Sequence, residues 1–225
     1  MYSRPQNIDA LINQGYAVDM GKYLSRGWEL FQKNIGGFIG FALVLAALVI
    51  VVGVLPERLD FLGTLASVVL TGPLAAGWYY VTFRLMKQQV PTFNDFFLGF
   101  NNFLPLFLAN LLVNIFVGIG MVFLLLPGIF LAVAYIFTVP LIVERRFDFW
   151  AAMETSRKLI TKQWFAIFVF VLVLVLINIL GALLLGVGLL VTIPLTSCAV
   201  AAAYEDIVGL STGGLAGEMP VSDRI

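Results

Sequence analysis

Charged residues are kept out of four long stretches of this chain. Lys33 and Glu57, Asp60 and Arg84, Asp95 and Glu144, and Lys162 and Glu205 bracket uncharged runs of 23, 23, 48 and 42 residues. A bilayer core about 30 Å thick takes roughly 20 apolar helical residues to cross. The first two runs each suit one crossing and the last two suit two each. The pattern therefore predicts six transmembrane helices, over about 36–55, 61–83, 104–125, 127–143, 165–185 and 188–204.

Between these runs the period changes from uniformly apolar to amphipathic. From Val18 to Ile35, Met20, Leu24, Trp28, Phe31 and Ile35 recur at helical spacing while Lys22, Arg26, Glu29 and Lys33 fall on other faces. From Phe147 to Trp164, Phe149, Met153, Ile160 and Trp164 make a similar stripe, and Phe93, Phe96, Phe97 and Phe100 make a shorter one. Aromatic residues beside Lys and Arg anchor a helix at the headgroup level, so each segment is expected to lie in the interface.

A threefold repeat organises these elements. Thr71-Gly72-Pro73-Leu74, Thr138-Val139-Pro140-Leu141 and Thr192-Ile193-Pro194-Leu195 each fall in an even-numbered span, 43, 42 and 42 residues after Trp28, Phe96 and Trp150. The expected fold is all-α and polytopic: three tandem helical hairpins, each preceded by an amphipathic interfacial helix, related by an axis along the membrane normal. The units run over about 18–86, 92–143 and 147–208, between an N-terminal arm (1–17) and a flexible tail (209–225). A proline inside a helix removes a hydrogen bond and crowds the carbonyl four residues back, so each even span should kink, with the neighbouring threonine hydroxyl bonding the preceding turn. The three kinks either serve packing or frame a cavity.

Orientation follows from the cations. Alternating loops place 12 of the 13 basic residues on one side and Arg58 alone on the other, which makes both termini cytoplasmic in a bacterial inner membrane. Leu126-Pro127-Gly128 and Gly186-Val187-Gly188 carry no charge and read as far-side turns. No cleavable leader is evident in the polar start, so the first span is expected to act as the insertion signal.

Composition agrees with the apolar map and narrows the chemistry. Hydrophobic residues make up 61% and charged residues 12% of the chain, and the net charge is zero, which gives no basis for nucleic-acid binding. The chain has no histidine and a single cysteine, Cys198. Neither a disulfide within the chain nor a cysteine metal cluster is expected, and no cofactor is implied. The six spans contain no ionisable residue apart from that thiol and tyrosine, which disfavours an ion-coupled pump. Glu144, Asp148 and Glu154 stand beside Arg145, Arg146, Arg157 and Lys158 and read as salt-bridged surface; Glu205-Asp206 reads as a solvated helix end. An enzyme is not expected.

The residues left for function are few. Arg145, Arg146, Arg157, Lys158 and Lys162 are candidates for contact with lipid headgroups, or else anchors that only hold the spans in place. Asn114 and Asn178 must find hydrogen-bond partners in neighbouring helices or accept a cost of about a kcal/mol. Gly36 with Gly40 and Gly72 with Ala76 form small-residue pairs that allow close helix approach.

The stretch from Leu126 to Phe165, LPGIFLAVAYIFTVPLIVERRFDFWAAMETSRKLITKQWF, opens a span with Leu-Pro-Gly. It closes that span with Pro-Leu-Ile-Val-Glu and continues into a Phe-Trp-Ala-Ala-Met-Glu-x-Ser-Arg helix. It resembles uncharacterised bacterial multi-span proteins related to the membrane domain of some glycerophosphodiester phosphodiesterases. The resemblance implies six helices and a link to lipid or envelope. It brings no catalytic residue, because the phosphodiesterase barrel has no counterpart here. Two functions are expected from different classes. One is a non-catalytic membrane protein that organises lipid or docks a membrane-protein partner or a second copy through its cytoplasmic face. The other is a channel, lipid-moving protein or facilitator for neutral or amphiphilic solutes near the three kinks.

Overall fold

The computed structural model of the chain describes residues 7–54, 56, 60–123, 125–211 and 215. Ten α-helices are formed among the described residues: α1 (Ile8–Gln14), α2 (Met20–Lys33), α3 (Ile35–Gly53), α4 (Asp60–Met86), α5 (Phe103–Phe123), α6 (Leu125–Ala134), α7 (Thr138–Arg145), α8 (Phe149–Thr161), α9 (Trp164–Leu183) and α10 (Leu189–Val208). A 3-10 segment, Phe93–Asn102, leads into α5. No strand occurs among the described residues, so the all-α class is plain. Among the described residues, five stretches are long and apolar enough to cross a membrane: Ile35–Gly53, Phe93–Phe123, Leu125–Arg145, Trp164–Leu183 and Leu189–Val208. The second expected span corresponds to α4, a 27-residue helix outside those five. Arg4, Arg58, Arg224 and the expected tail over 212–214 and 216–225 lie outside the described residues.

The bundle is arranged around α10. In their most apolar windows α3, α5 and α9 are 11–22% buried, whereas α10 is 67% buried with the lowest mean hydropathy, 1.3. Small residues explain the difference. Ala199, Ala201, Ala202 and Ala203 let neighbours approach closely, and a Cβ placed on Gly27 of α2 would lie 2.8 Å from the Ala199 backbone. Large aliphatics such as Val49, Val122 and Leu185 face outward instead. Small residues inside and branched apolar residues outside are the arrangement expected when the surroundings are hydrocarbon.

Several elements differ from the sequence expectation. The fourth expected span is discontinuous: α6 ends at Ala134, and α7 begins at Thr138. Pro140 has no N–H for the Ile136 carbonyl. The residues ahead of it tighten into three-residue bonds, Ile136 to Val133 (3.2 Å) and Thr138 to Tyr135 (3.0 Å). Pro73 and Pro194, by contrast, sit inside continuous helices. Leu126-Pro127-Gly128 belongs to the first turn of α6 rather than to a connecting turn, a position where proline loses nothing. Gly186 does turn the chain, with Leu185 and Gly186 at φ 54° and 76°.

The amphipathic helices are also built in more deeply than an interfacial stripe suggests. The buried residues of α2 are Tyr23, Gly27, Leu30 and Phe31, a face turned by about 75° from the expected one. Trp28 and Ile35 point outward. In α8 the buried residues are Ala152, Met153, Ser156, Leu159 and Ile160. Arg146, left-handed at φ 57°, ends α7, and Asp148 caps α8 by accepting from the Ala151 N–H at 2.8 Å. The chain thereby folds back so that Ser156 reaches the gap in the fourth span. Its Oγ donates to the Ala134 carbonyl at 2.7 Å and accepts from the Phe137 N–H at 3.2 Å.

Candidate functional site

The charged residues converge on one end of the bundle, where α2, the end of α4, the 3-10 segment, α7 and the end of α10 meet. Glu144, in the last turn of α7, is the centre. Its side chain is fully buried. Arg145 Nε lies 2.9 Å from one carboxylate oxygen, and Tyr204 of α10 donates to the same oxygen at 3.2 Å. Lys87, just past α4, stands 4.0 Å from the other oxygen, which also accepts the Ser211 backbone N–H. Arg145 continues to the Val208 carbonyl at 3.0 Å, and Arg146 donates to the Leu215 carbonyl at 3.1 Å. The segment following α10 is therefore held against the bundle at Gly209–Ser211 and Leu215, with Leu210 and Leu215 buried. A carboxylate can be buried only when its charge and lone pairs are matched, and here two cations and two neutral donors do so.

Two further sets of ion pairs flank this centre. Arg84 of α4 meets Asp95 at 2.7 Å, and Asp95 also accepts from the Thr92 N–H at 2.7 Å, which closes the start of the 3-10 segment. Between α2 and α10, Lys22 bonds Asp206, Tyr23 donates to Asp206 at 3.1 Å, and Arg26 lies 3.8 Å from Glu205. These residues border a groove of about 380 Å³ with Ser25 and Glu29. Its hydrogen bond to Asp206 raises the pKa of Lys22, and burial raises that of Tyr23. Glu205 is buried rather than solvated, because α2 packs over the end of α10.

The candidate headgroup cations divide into two groups. Arg145 and Arg146 are turned toward backbone carbonyls of the C-terminal segment. Arg157 and Lys158 lie on α8 with Lys162 just beyond it. Arg157 holds Glu154 through two bonds of 2.9 and 2.8 Å, with Lys158 at 3.3 Å from the same carboxylate, and Lys162 is exposed. The Arg157 bond is the main reason that the carboxyl of Glu154 titrates below its ordinary value.

The repeated threonines and prolines take different environments. Pro73, Pro140 and Pro194 are all buried, whereas Thr71 is exposed, Thr138 is 2% exposed, and Thr192 packs on the backbone of Gly181. Thr71 donates to the Ser67 carbonyl at 2.6 Å. Asn178 links α9 to α10 by donating to Thr196 at 3.2 Å, while Asn114 bonds within its own helix to Asn110. Gly72 packs on the Leu106 carbonyl, which seats α5 against α4; Gly36 meets nothing within 4 Å.

Sequence reasoning missed the Glu144 centre and the Ser156 bridge. Glu144 is next to two arginines, which reads as surface, and a lone serine in an amphipathic helix carries no signal. Among the described residues, no group of three or more His, Cys, Asp or Glu side chains is placed to hold a metal ion. What the arrangement does chemically is fasten α4, α7, α10 and the C-terminal segment together by matched charges. Comparison with protein-family models, curated proteins and solved structures returns no match.

Proposed function

We propose that this chain is a non-catalytic integral membrane protein that organises lipid or docks a membrane partner through the face formed by α2, the 3-10 segment and α8. In this reading α4 supplies a sixth span, the three hairpin units are tandem copies, and both ends are cytoplasmic in a bacterial inner membrane. The kinship suggested by Leu126 to Phe165 with the membrane domain of glycerophosphodiester phosphodiesterases belongs to the same proposal.

The observation that carries it is the outward side of those three segments. Each packs on the bundle through one side yet leaves aromatic residues exposed: Trp28 on α2, Phe93 and Phe100 on the 3-10 segment, and Trp150 on α8. Exposed Lys33, Lys158 and Lys162 accompany the first and last. Indole rings beside lysines suit the boundary between acyl chains and anionic headgroups.

The test is retention of anionic lipid. The protein is placed in nanodiscs of phosphatidylcholine with phosphatidylglycerol, and the lipid that stays bound is counted by native mass spectrometry. Lys158→Glu with Lys162→Glu should remove most of the retained phosphatidylglycerol, and Pro73→Ala, Pro140→Ala and Pro194→Ala should leave it unchanged. The reverse ordering would refute the proposal and favour a second reading, passage of a neutral or amphiphilic solute beside the kinks. The gap between α6 and α7 is the observation that favours that reading. Single cysteines near Thr71, Thr138 and Thr192 that stay protected from water-soluble thiol reagents would remove it.

A further inference from the structure

A mainly apolar notch edged by a few polar side chains opens between α4 and α5, far from the charged end. It has a volume of about 390 Å³ and is bordered by Ser67 and Thr71 of α4 and by Asn110 and Asn114 of α5. Asn114 lies 11 residues after Phe103 and 9 before Phe123, so it sits about 16 Å and 14 Å from the two ends of α5, near mid-depth of a span. Ser67, Thr71 and Asn114 are all exposed. Exposed hydroxyls and an amide at that depth meet acyl chains rather than water, so a ligand that matches them is favoured.

The hydrogen-bond pattern states what would match. Ser67 donates to the Gly63 carbonyl (2.9 Å), Thr71 to the Ser67 carbonyl (2.6 Å), and the Asn114 Nδ2 to the Asn110 carbonyl (2.7 Å) and Oδ1 (3.2 Å). The Ser67, Thr71 and Asn114 donors are thus turned inward onto their own helices, while Asn110 accepts through its Oδ1 and keeps its own amide donor. The notch is therefore bordered by acceptor oxygens, Ser67 Oγ, Thr71 Oγ1 and Asn114 Oδ1, and by the side-chain amide donor of Asn110, a mixture that a hydroxyl, which both donates and accepts, would match. The notch lining has no ionised group to neutralise a charged ligand.

A second cavity extends the first. Ser67 and Thr71 also border an apolar furrow of about 120 Å³ between α3 and α4, walled by Leu48, Val49 and Leu70. A hydroxyl resting on Thr71 could therefore continue into an alkyl chain lying along α3. We infer that the notch and furrow together bind an uncharged lipid with a hydroxyl head, such as a diacylglycerol or a long-chain alcohol. The site depends on α4 lying in the membrane, but not on whether the charged end binds anionic lipid or a partner.

The probe is a 1,2-diacylglycerol carrying a diazirine and an alkyne in one chain, at low mole fraction in phosphatidylcholine nanodiscs that contain the full chain. After photolysis, labelled peptides are mapped. Labelling should concentrate near Leu48–Val52 and Asn110–Ile115. Excess dioleoylglycerol should displace it, and equal oleate should not. Thr71→Val with Asn114→Leu should lower labelling at least fivefold, while Thr71→Ser should keep it. Thermal unfolding of the same samples shows that the variants fold, and Asn114→Leu alone serves if the pair does not. Uniform labelling over all outward-facing helices, labelling unchanged in the folded variants, displacement by oleate, or disulfide-linked dimers through Asn114→Cys would each overturn the site. Lys158→Glu with Lys162→Glu should leave labelling intact, which separates failure here from failure of the proposed function.

Discussion

Replacing Glu144 by alanine tests the main structural inference, that a buried carboxylate fastens the charged end. The Glu144 side chain has no exposure, and those of Lys87 and Arg145 are only 8% and 17% exposed. The substitution leaves both cations in a poorly hydrated place and removes the acceptor for Tyr204 and for the Ser211 N–H. Breaking a buried pair by deleting one partner costs about 3–5 kcal/mol. Arg145 keeps the Val208 carbonyl at 3.0 Å, which places the expectation near the lower end, about 3 kcal/mol. Glu154 supplies the comparison, since it is also paired with basic neighbours but is 35% exposed; its removal should cost under about 1 kcal/mol. The assay is reversible unfolding in mixed micelles at increasing SDS fraction, followed by tryptophan fluorescence, for wild type, Glu144→Ala, Glu144→Gln and Glu154→Ala. Glu144→Gln should fall between wild type and alanine, because the amide still accepts from Ser211. If Glu144→Ala is no less stable than Glu154→Ala, the carboxylate does not hold this end together.

Other outcomes follow from the same geometry. Gly27→Leu should destabilise by at least about 2 kcal/mol in that titration, because a Cβ there already meets Ala199 backbone at 2.8 Å; Gly36→Ala, with nothing within 4 Å, should be neutral or slightly stabilising. Ser156→Ala should cost about 1–3 kcal/mol by stranding the Ala134 carbonyl and Phe137 N–H, and hydrogen exchange at Phe137 should rise selectively. The Glu154 carboxyl titrates below its ordinary value because Arg157 and Lys158 favour the ionised form. Its contribution is therefore present above the ordinary carboxylate pKa and is lost as pH falls through the lowered value. The stability difference between wild type and Glu154→Gln, under about 1 kcal/mol, should vanish in acid and persist at neutral pH.

Much of the helical layout was legible because it depends on local period. The uncharged run from Lys33 to Glu57 contains α3, that from Lys162 to Glu205 contains α9 and most of α10, and Gly186 turns the chain between them. Other details were not legible because they depend on distant partners. Tyr23, Gly27, Leu30 and Phe31 form the buried face of α2, where α10 presents Ala199 to Gly27, and a hydrophobic stripe drawn on α2 alone cannot register a glycine as a contact. Proline marked the break before Pro140, but Pro73 and Pro194 leave their helices continuous, so the residue type did not decide the outcome. The α4–α5 notch was visible only as scattered polar residues until close packing of Gly72 on Leu106 brought the two helices together.

By itself, the order of apolar and charged residues determined that this chain is helical and has stretches long and apolar enough to cross a membrane, because segment length and composition set those properties locally. Tertiary structure alone decided which charges are structural. Glu144 is buried because Lys87 arrives from the end of α4 while Tyr204 and Ser211, 60 and 67 residues further along the chain, close over it. A charge can leave water only where opposite charges and hydrogen-bond donors are already assembled, and that assembly is a property of the packed bundle rather than of any segment.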